Sequence, residues 1–121
     1  MMPFRVLVHD KDVAVAWYRD GLGFEVEEQW GPAFAILKLG DERLWISGPQ
    51  TSAAKAMPDG RAPEPGGWNR PVVSVPDLPS VISRLQALGT VFRNEPVTGP
   101  GGTQVLVEDP SGNPVEVFQP R

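Results

Sequence analysis

With 121 residues, 40% of them hydrophobic, and a formal net charge of −4, the chain can bury one core but not two independent ones. Its eleven Lys and Arg residues are scattered along an acidic chain, which argues against nucleic acid, and no apolar run is long enough to cross a membrane. Cysteine is absent and His9 is the single histidine, which excludes disulfides, thiolate nucleophiles, Cys-ligated zinc and any site needing two imidazoles from one chain.

The opening "MMPFRVLVHDKD" has no basic stretch followed by a signal core, so a cytoplasmic location is expected. Within it, "FRVLV" (Phe4 to Val8) reads as a short strand. Asp10 is a good N-cap for the helix that follows. There Val13, Ala16 and Trp17, with Ala14 and Tyr18, recur at helical spacing, and Gly21 and Gly23 are expected to stop it. "FEVEEQW", "AFAILKL" and "ERLWIS" predict three more strands, the last two separated by the turn "GDE". In the second half, "RPVVSV" predicts a strand and Asp77 a cap for "LPSVISRLQAL". Val81, Ile82, Leu85 and Leu88 form one apolar stripe on that helix, which Gly89 terminates. "TVFRNEPV", "TQVLVED" and "PVEVFQ" predict three further strands. "DPSGN" joins the last two, with Pro110 and Gly112 placed as a type I turn requires.

The halves can be laid over each other. Asp10 falls on Asp77, Leu22-Gly23 on Leu88-Gly89, and "LWISGP" on "VEVFQP". The chain is therefore expected to be α+β, one β-α-β-β-β unit written twice within a single domain, 1–121. Module one spans 1–48 and module two 69–121. The proline- and glycine-rich bridge, 49–68, is expected to be either a linker or a flap over a site.

A doubled unit with "WYRDGLGFEV" early and "EDPSGNPVEVFQP" last resembles the vicinal oxygen chelate superfamily. That group includes glyoxalase I, extradiol dioxygenases, fosfomycin-modifying thiol transferases and bleomycin-resistance binding proteins. The pattern D-P-x-G-N-x-[IV]-E-[LV] is matched in full by Asp109 to Val117, and "DVAVAWYRDGLGF" matches the early motif in part. The resemblance implies two pseudo-symmetric modules whose sheets form a cup, with up to four positions inside able to bind a divalent metal. Carried over, those positions are Pro3, Trp45, Arg70 and Glu116. One carboxylate cannot hold a catalytic metal alone. A guanidinium beside the cation would repel it by about 4 kcal/mol at 4 Å, with an effective dielectric near 20. No cofactor is expected, while the resemblance keeps a divalent metal open.

Strand alternation extends the cup. Glu116 shares a face with Pro114 and Phe118, opposite Val115 and Val117; Trp45 shares one with Arg43 and Ser47, opposite Leu44 and Ile46. Arg5 and Leu7 join Pro3, and Val72 and Ser74 join Arg70. The candidate ligand-binding residues are thus Trp45, Arg70, Glu116, Arg5, Leu7, Val72, Ser74 and Phe118, with Glu116 the candidate catalytic group. Each has a plainer reading: Glu116 on a wet sheet face, Trp45 in the core, and Arg70 pairing with Glu116 to hold the two halves together. His9 is expected to cap the first helix region or face solvent, with acid-base work as its functional alternative, and "TGPGGT" lies between strands rather than opening a helix.

These features lead to a metal-independent small-molecule binder, a homodimer that sequesters or senses an organic ligand. The alternative is a glyoxalase-type lyase or isomerase with a rebuilt site. In it Glu116 acts as a base and Arg70 stabilises an enolate. A third reading is an accessory module acting through its dimer surface.

Overall fold

Asp10 opens the first helix. Its carboxylate accepts the backbone N–H groups of Asp12 and Val13 at 3.0 and 3.1 Å, satisfying two donors that a helix start leaves orphaned. In the computed structural model, which describes residues 2–121, that helix (α1) spans Lys11–Leu22 and ends at Gly23, whose φ of 81° favours glycine. It follows β1 (Phe4–Leu7) and precedes β2 (Glu25–Trp30), β3 (Phe34–Leu39) and β4 (Glu42–Ser47). A short 3-10 turn, Ser52–Ala54, lies in the bridge. The second half repeats the order with β5 (Val72–Ser74), α2 (Leu78–Ala87), β6 (Val91–Phe92), β7 (Val97–Gly99), β8 (Gly102–Glu108) and β9 (Pro114–Pro120). Asp77 caps α2 through Ser80 N at 3.3 Å.

The first sheet has the order β1-β4-β3-β2, and the second β5-β9-β8-β6 with β7 also on β8. In each, the module's first strand runs parallel to its last, and all other pairs are antiparallel. The two halves are thus equivalent in topology, as the repeat implies. Val6, Val8, Leu44, Ile46, Ala35 and Leu37 from the first sheet turn toward the helices. Val73, Val105, Val107, Val115 and Val117 do the same from the second, and all join a single core. The opposite faces give the strands their cup-like arrangement.

Three local expectations are corrected. Gly21 does not stop α1 but sits inside it, where α2 crosses; a Cβ there would lie 2.7 Å from Leu85 Cδ2. Val13 and Leu88 are exposed, because the buried faces turn on Ala14, Val15, Trp17 and Tyr18 in α1 and on Leu78, Val81 and Leu85 in α2. "TVFRNEPV" is not one strand. Pro96 has no N–H to give a ladder, and just before it the Asn94 side-chain oxygen, in place of a backbone carbonyl, accepts Leu106 N at 2.9 Å, leaving β6 and β7 separate.

The two sequence motifs meet in one buried network. Asp109 Oδ2 accepts the Tyr18 hydroxyl at 2.8 Å and Asn113 Nδ2 at 3.0 Å, while Oδ1 accepts the backbone N–H groups of Ser111 and Asn113. Asn113 Nδ2 also reaches the Leu7 carbonyl at 2.7 Å, and its Oδ1 takes Gly66 N from the bridge at 2.8 Å. The "DPSGN" turn, closed by Gly112 N on the Asp109 carbonyl at 2.9 Å, therefore ties both modules and the bridge together.

Candidate functional site

The concave face of the first sheet is built from two cross-strand rows. Register aligns Arg5, Trp45, Ile36 and Glu28 in one, and Leu7, Ser47, Phe34 and Trp30 in the next. Trp30 and Phe34 rings lie 5.3 Å apart, and Phe34 meets Trp45 edge-on at 6.1 Å. The Arg5 guanidinium sits 5.0 Å from the Trp45 ring centre and 5.9 Å from that of Phe34, and Nη1 donates to Ser47 Oγ at 2.9 Å. Ser47 is buried and Arg5 exposed. Trp45 thus forms a wall of the cup, and the core on the other face is filled by Leu44 and Ile46.

On the second sheet, Glu116 Oε1 accepts both Arg70 Nε at 3.1 Å and Nη2 at 2.8 Å. The side chains are 13% and 31% exposed for Glu116 and Arg70, so the pair is half-sheltered and not a wet surface contact. Arg70 also donates to the Trp68 carbonyl at 3.3 Å. The ion pair expected between these residues is present. It does not hold the halves together, however, because both partners belong to the second module: Arg70 precedes β5, and Glu116 pairs with Val72. Glu116 Oε2 has no protein donor, and no buried polar side-chain atom is left unpartnered among the described residues, so this oxygen keeps contact with solvent. Val72 is exposed, and Ser74 pairs with Phe118, whose Cζ lies 3.0 Å from where a Cβ on Gly102 would stand.

Among the described residues, no hydrogen bond, ion pair or ring contact joins the Arg5–Trp45 group to the Arg70–Glu116 group. A cleft of about 200 Å³ lies where β1 meets the start of β9, lined by Arg5, Leu7, Glu64 and Asn113. A larger one, about 570 Å³, opens beside Phe4, Leu39, Arg43, Val72 and Ser74. Neither is lined by Trp45 or Glu116. His9 is exposed, its backbone N–H on Ser111 Oγ at 2.9 Å, and "TGPGGT" forms the β7–β8 hairpin turn.

Sequence reasoning overlooks Phe34 and Trp30. Period-2 alternation from Trp45 would have reached them had the β3 register been known. It also overlooks Arg93, which pairs with Glu108 at 2.8 Å and lies 4.5 Å from the Trp68 ring, pinning the end of the bridge to the second sheet.

The four positions at which the resemblance would place metal ligands do not fit a divalent cation. Trp45 and Pro3 offer no donor, Arg70 is a cation, and its guanidinium already occupies Glu116. Among the described residues, no three His, Asp or Glu side chains converge elsewhere.

Two sheets of this topology, each backed by one helix and turned to make a cup, define a doubled β-α-β-β-β protein. The family model of the Glyoxalase/Bleomycin resistance protein/Dioxygenase superfamily matches residues 3–117, and the chain belongs to that superfamily. A crystal structure of lactoylglutathione lyase from Agrobacterium tumefaciens is similar at 26% identity and a TM-score of 0.74, over 98% of this chain and 92% of that one. TnmS3, an antibiotic binding protein from Streptomyces sp. CB03234, is 26% identical with a TM-score of 0.73, over 98% and 93%. The fosfomycin resistance protein FosX from Listeria monocytogenes shares the fold alone, at 12% identity and a TM-score of 0.75 over 100% and 93%. No curated protein matches the chain. No described helix is long and apolar enough to cross a membrane.

Proposed function

We propose that this chain is a metal-independent small-molecule-binding protein that acts as a homodimer and sequesters or senses an organic ligand on its concave sheet faces. The observation that carries the reading is the aromatic wall of Trp30, Phe34 and Trp45 with Arg5 laid against it. Trp30 and Val72 leave apolar area open on the concave faces, and a second copy would cover it. Similarity to an antibiotic binding protein at 26% identity supports small-molecule binding.

The alternative enzyme reading has its own support in the donor-free Oε2 of Glu116 and in similarity to a lactoylglutathione lyase. Mass spectrometry of protein purified under native conditions, with elemental analysis of the same sample, separates the readings. The proposal expects a co-purified organic molecule or saturable ligand binding, with far less than one divalent ion per chain. One nickel, zinc, iron or manganese per chain, or turnover of methylglyoxal-thiol adducts abolished by Glu116→Gln, would establish the alternative. Sedimentation at micromolar concentration should give twice the 13.2 kDa chain mass.

A further inference from the structure

Four arginines reach the concave side, and three are neutralised. Arg43 meets Glu27 at 3.0 Å, Arg70 meets Glu116 at 2.8 Å, and Arg93 meets Glu108 at 2.8 Å. Arg5 differs. Among the described residues it has no carboxylate within ion-pair distance; Glu64 lines the same cleft without pairing to it. Its guanidinium is held from two sides, by Ser47 Oγ through Nη1 and by the rings of Trp45 and Phe34. Ser47 is fully buried and too deep to be a ligand contact, so its role is to aim the guanidinium. The remaining N–H donors of this exposed side chain are left to whatever lies on the aromatic wall.

We infer that Arg5 is the anion-recognising residue of the cup and that the ligand carries a carboxylate or similar singly charged anionic group on an aromatic system. This rests on reading the concave face as a ligand surface. A planar guanidinium fixed in orientation matches a carboxylate with two parallel N–H donors, and little side-chain freedom remains to be lost on binding. Trp45, the next residue across the sheet, takes the ring system by stacking. The row continues through Ile36 to Glu28, which has no ion-pair partner among the described residues. At roughly 4.8 Å per strand the backbone positions of Arg5 and Glu28 stand about 14 Å apart across the sheet. Their opposite signs orient the ligand, with its anionic group on the β1 side, and repel a second anion near β2.

The test uses two probes of one ring shape, 2-naphthoate and its neutral amide, titrated calorimetrically into the intact protein. Naphthoate should bind about tenfold more tightly than naphthamide at low salt, and the preference should shrink as ionic strength rises. Arg5→Met keeps the apolar stem and should remove the preference. Arg5→Lys keeps the charge without the planar fork and should retain only part of it. Circular dichroism checks that each variant is folded, and the wild-type comparison stands without them. Equal binding of both probes would overturn the anion assignment and leave the binding surface intact. A preference that survives Arg5→Met would also overturn it, by placing the anion elsewhere. Failure of both probes to bind would overturn the assignment and the ligand-surface reading together.

Discussion

Tyr18→Phe probes the network that joins the two modules. The hydroxyl is fully buried and donates to Asp109 Oδ2 at 2.8 Å; without it, that oxygen keeps only Asn113 Nδ2 at 3.0 Å. Oδ1 keeps its two backbone donors, so the carboxylate is weakened and not stranded. A hydrogen bond to a charged acceptor contributes about 1.5–3 kcal/mol, and a loss near 2 kcal/mol is expected at neutral pH. Set against a typical domain stability of about 5–15 kcal/mol, that is a large fraction. Burial, reinforced by the Asp109 charge and hydrogen bond, also raises the Tyr18 pKa well above its ordinary value. The raised value means that above about pH 10 the unfolded chain releases the phenol proton while the folded chain holds it. Stability from this group is therefore complete below pH 10 and falls as pH rises, by up to about 1.4 kcal/mol per pH unit. Every other group is common to both proteins, so the difference between wild type and Tyr18→Phe isolates the effect. Because Tyr18 is the only tyrosine, the phenolate absorbance band reports it alone. Urea unfolding from pH 7 to 11 should show the two stabilities converging. A phenolate band that appears near pH 10 in folded protein, or parallel stability profiles, would refute the reasoning.

Glu116→Gln should cost about 1 kcal/mol, well below the 3–5 kcal/mol of a fully buried pair, because Arg70 remains 31% exposed and can turn to water. Arg70→Met in the same chain should recover part of that loss; a cost above 3 kcal/mol in urea unfolding would show the pair to be a buried one. Gly21→Ala should lower stability by about 1 kcal/mol despite alanine's helix preference, because the new methyl meets Leu85 at 2.7 Å in a filled core. A rise in the thermal midpoint would show that the α1–α2 contact has room to yield.

The doubled fold is legible in the sequence because its punctuation is local. Asp10 and Asp77 cap helices through donors two or three residues away, and Gly23 and Gly89 end them with positive φ. Period-2 alternation likewise places Trp45 and Glu116 on concave faces, opposite Leu44 and Val115. What the sequence hides depends on contacts between distant residues. Gly21 reads as a helix stop until α2 is seen to cross it, and the strand read across Pro96 breaks where the Asn94 side chain, not a backbone carbonyl, accepts the N–H of distant Leu106. The partners of most charges are equally hidden, although the Arg70–Glu116 pair is expected from the doubled fold. Arg43 and Arg93 look no different from Arg5 along the chain, and only placement across strands shows that Glu27 and Glu108 match these two.

The repeat also explains why the two half-sites differ in chemistry although they match in position. Trp45 pairs with Arg5 across the parallel β1–β4 edge, and Glu116 pairs with Val72 across the equivalent β5–β9 edge. In the first module an arginine stands level with an aromatic ring and keeps its charge. In the second the arginine lies two residues earlier, at Arg70, and is neutralised by the carboxylate it reaches. One sheet therefore presents a cation on a ring, and the other a closed ion pair beside the open edge of Val72. A metal needs several anionic or neutral donors converging on one point, and this arrangement has used its one carboxylate at these positions on Arg70. What the first face retains is stacking area and one unmatched positive charge, the requirements for holding a flat organic anion.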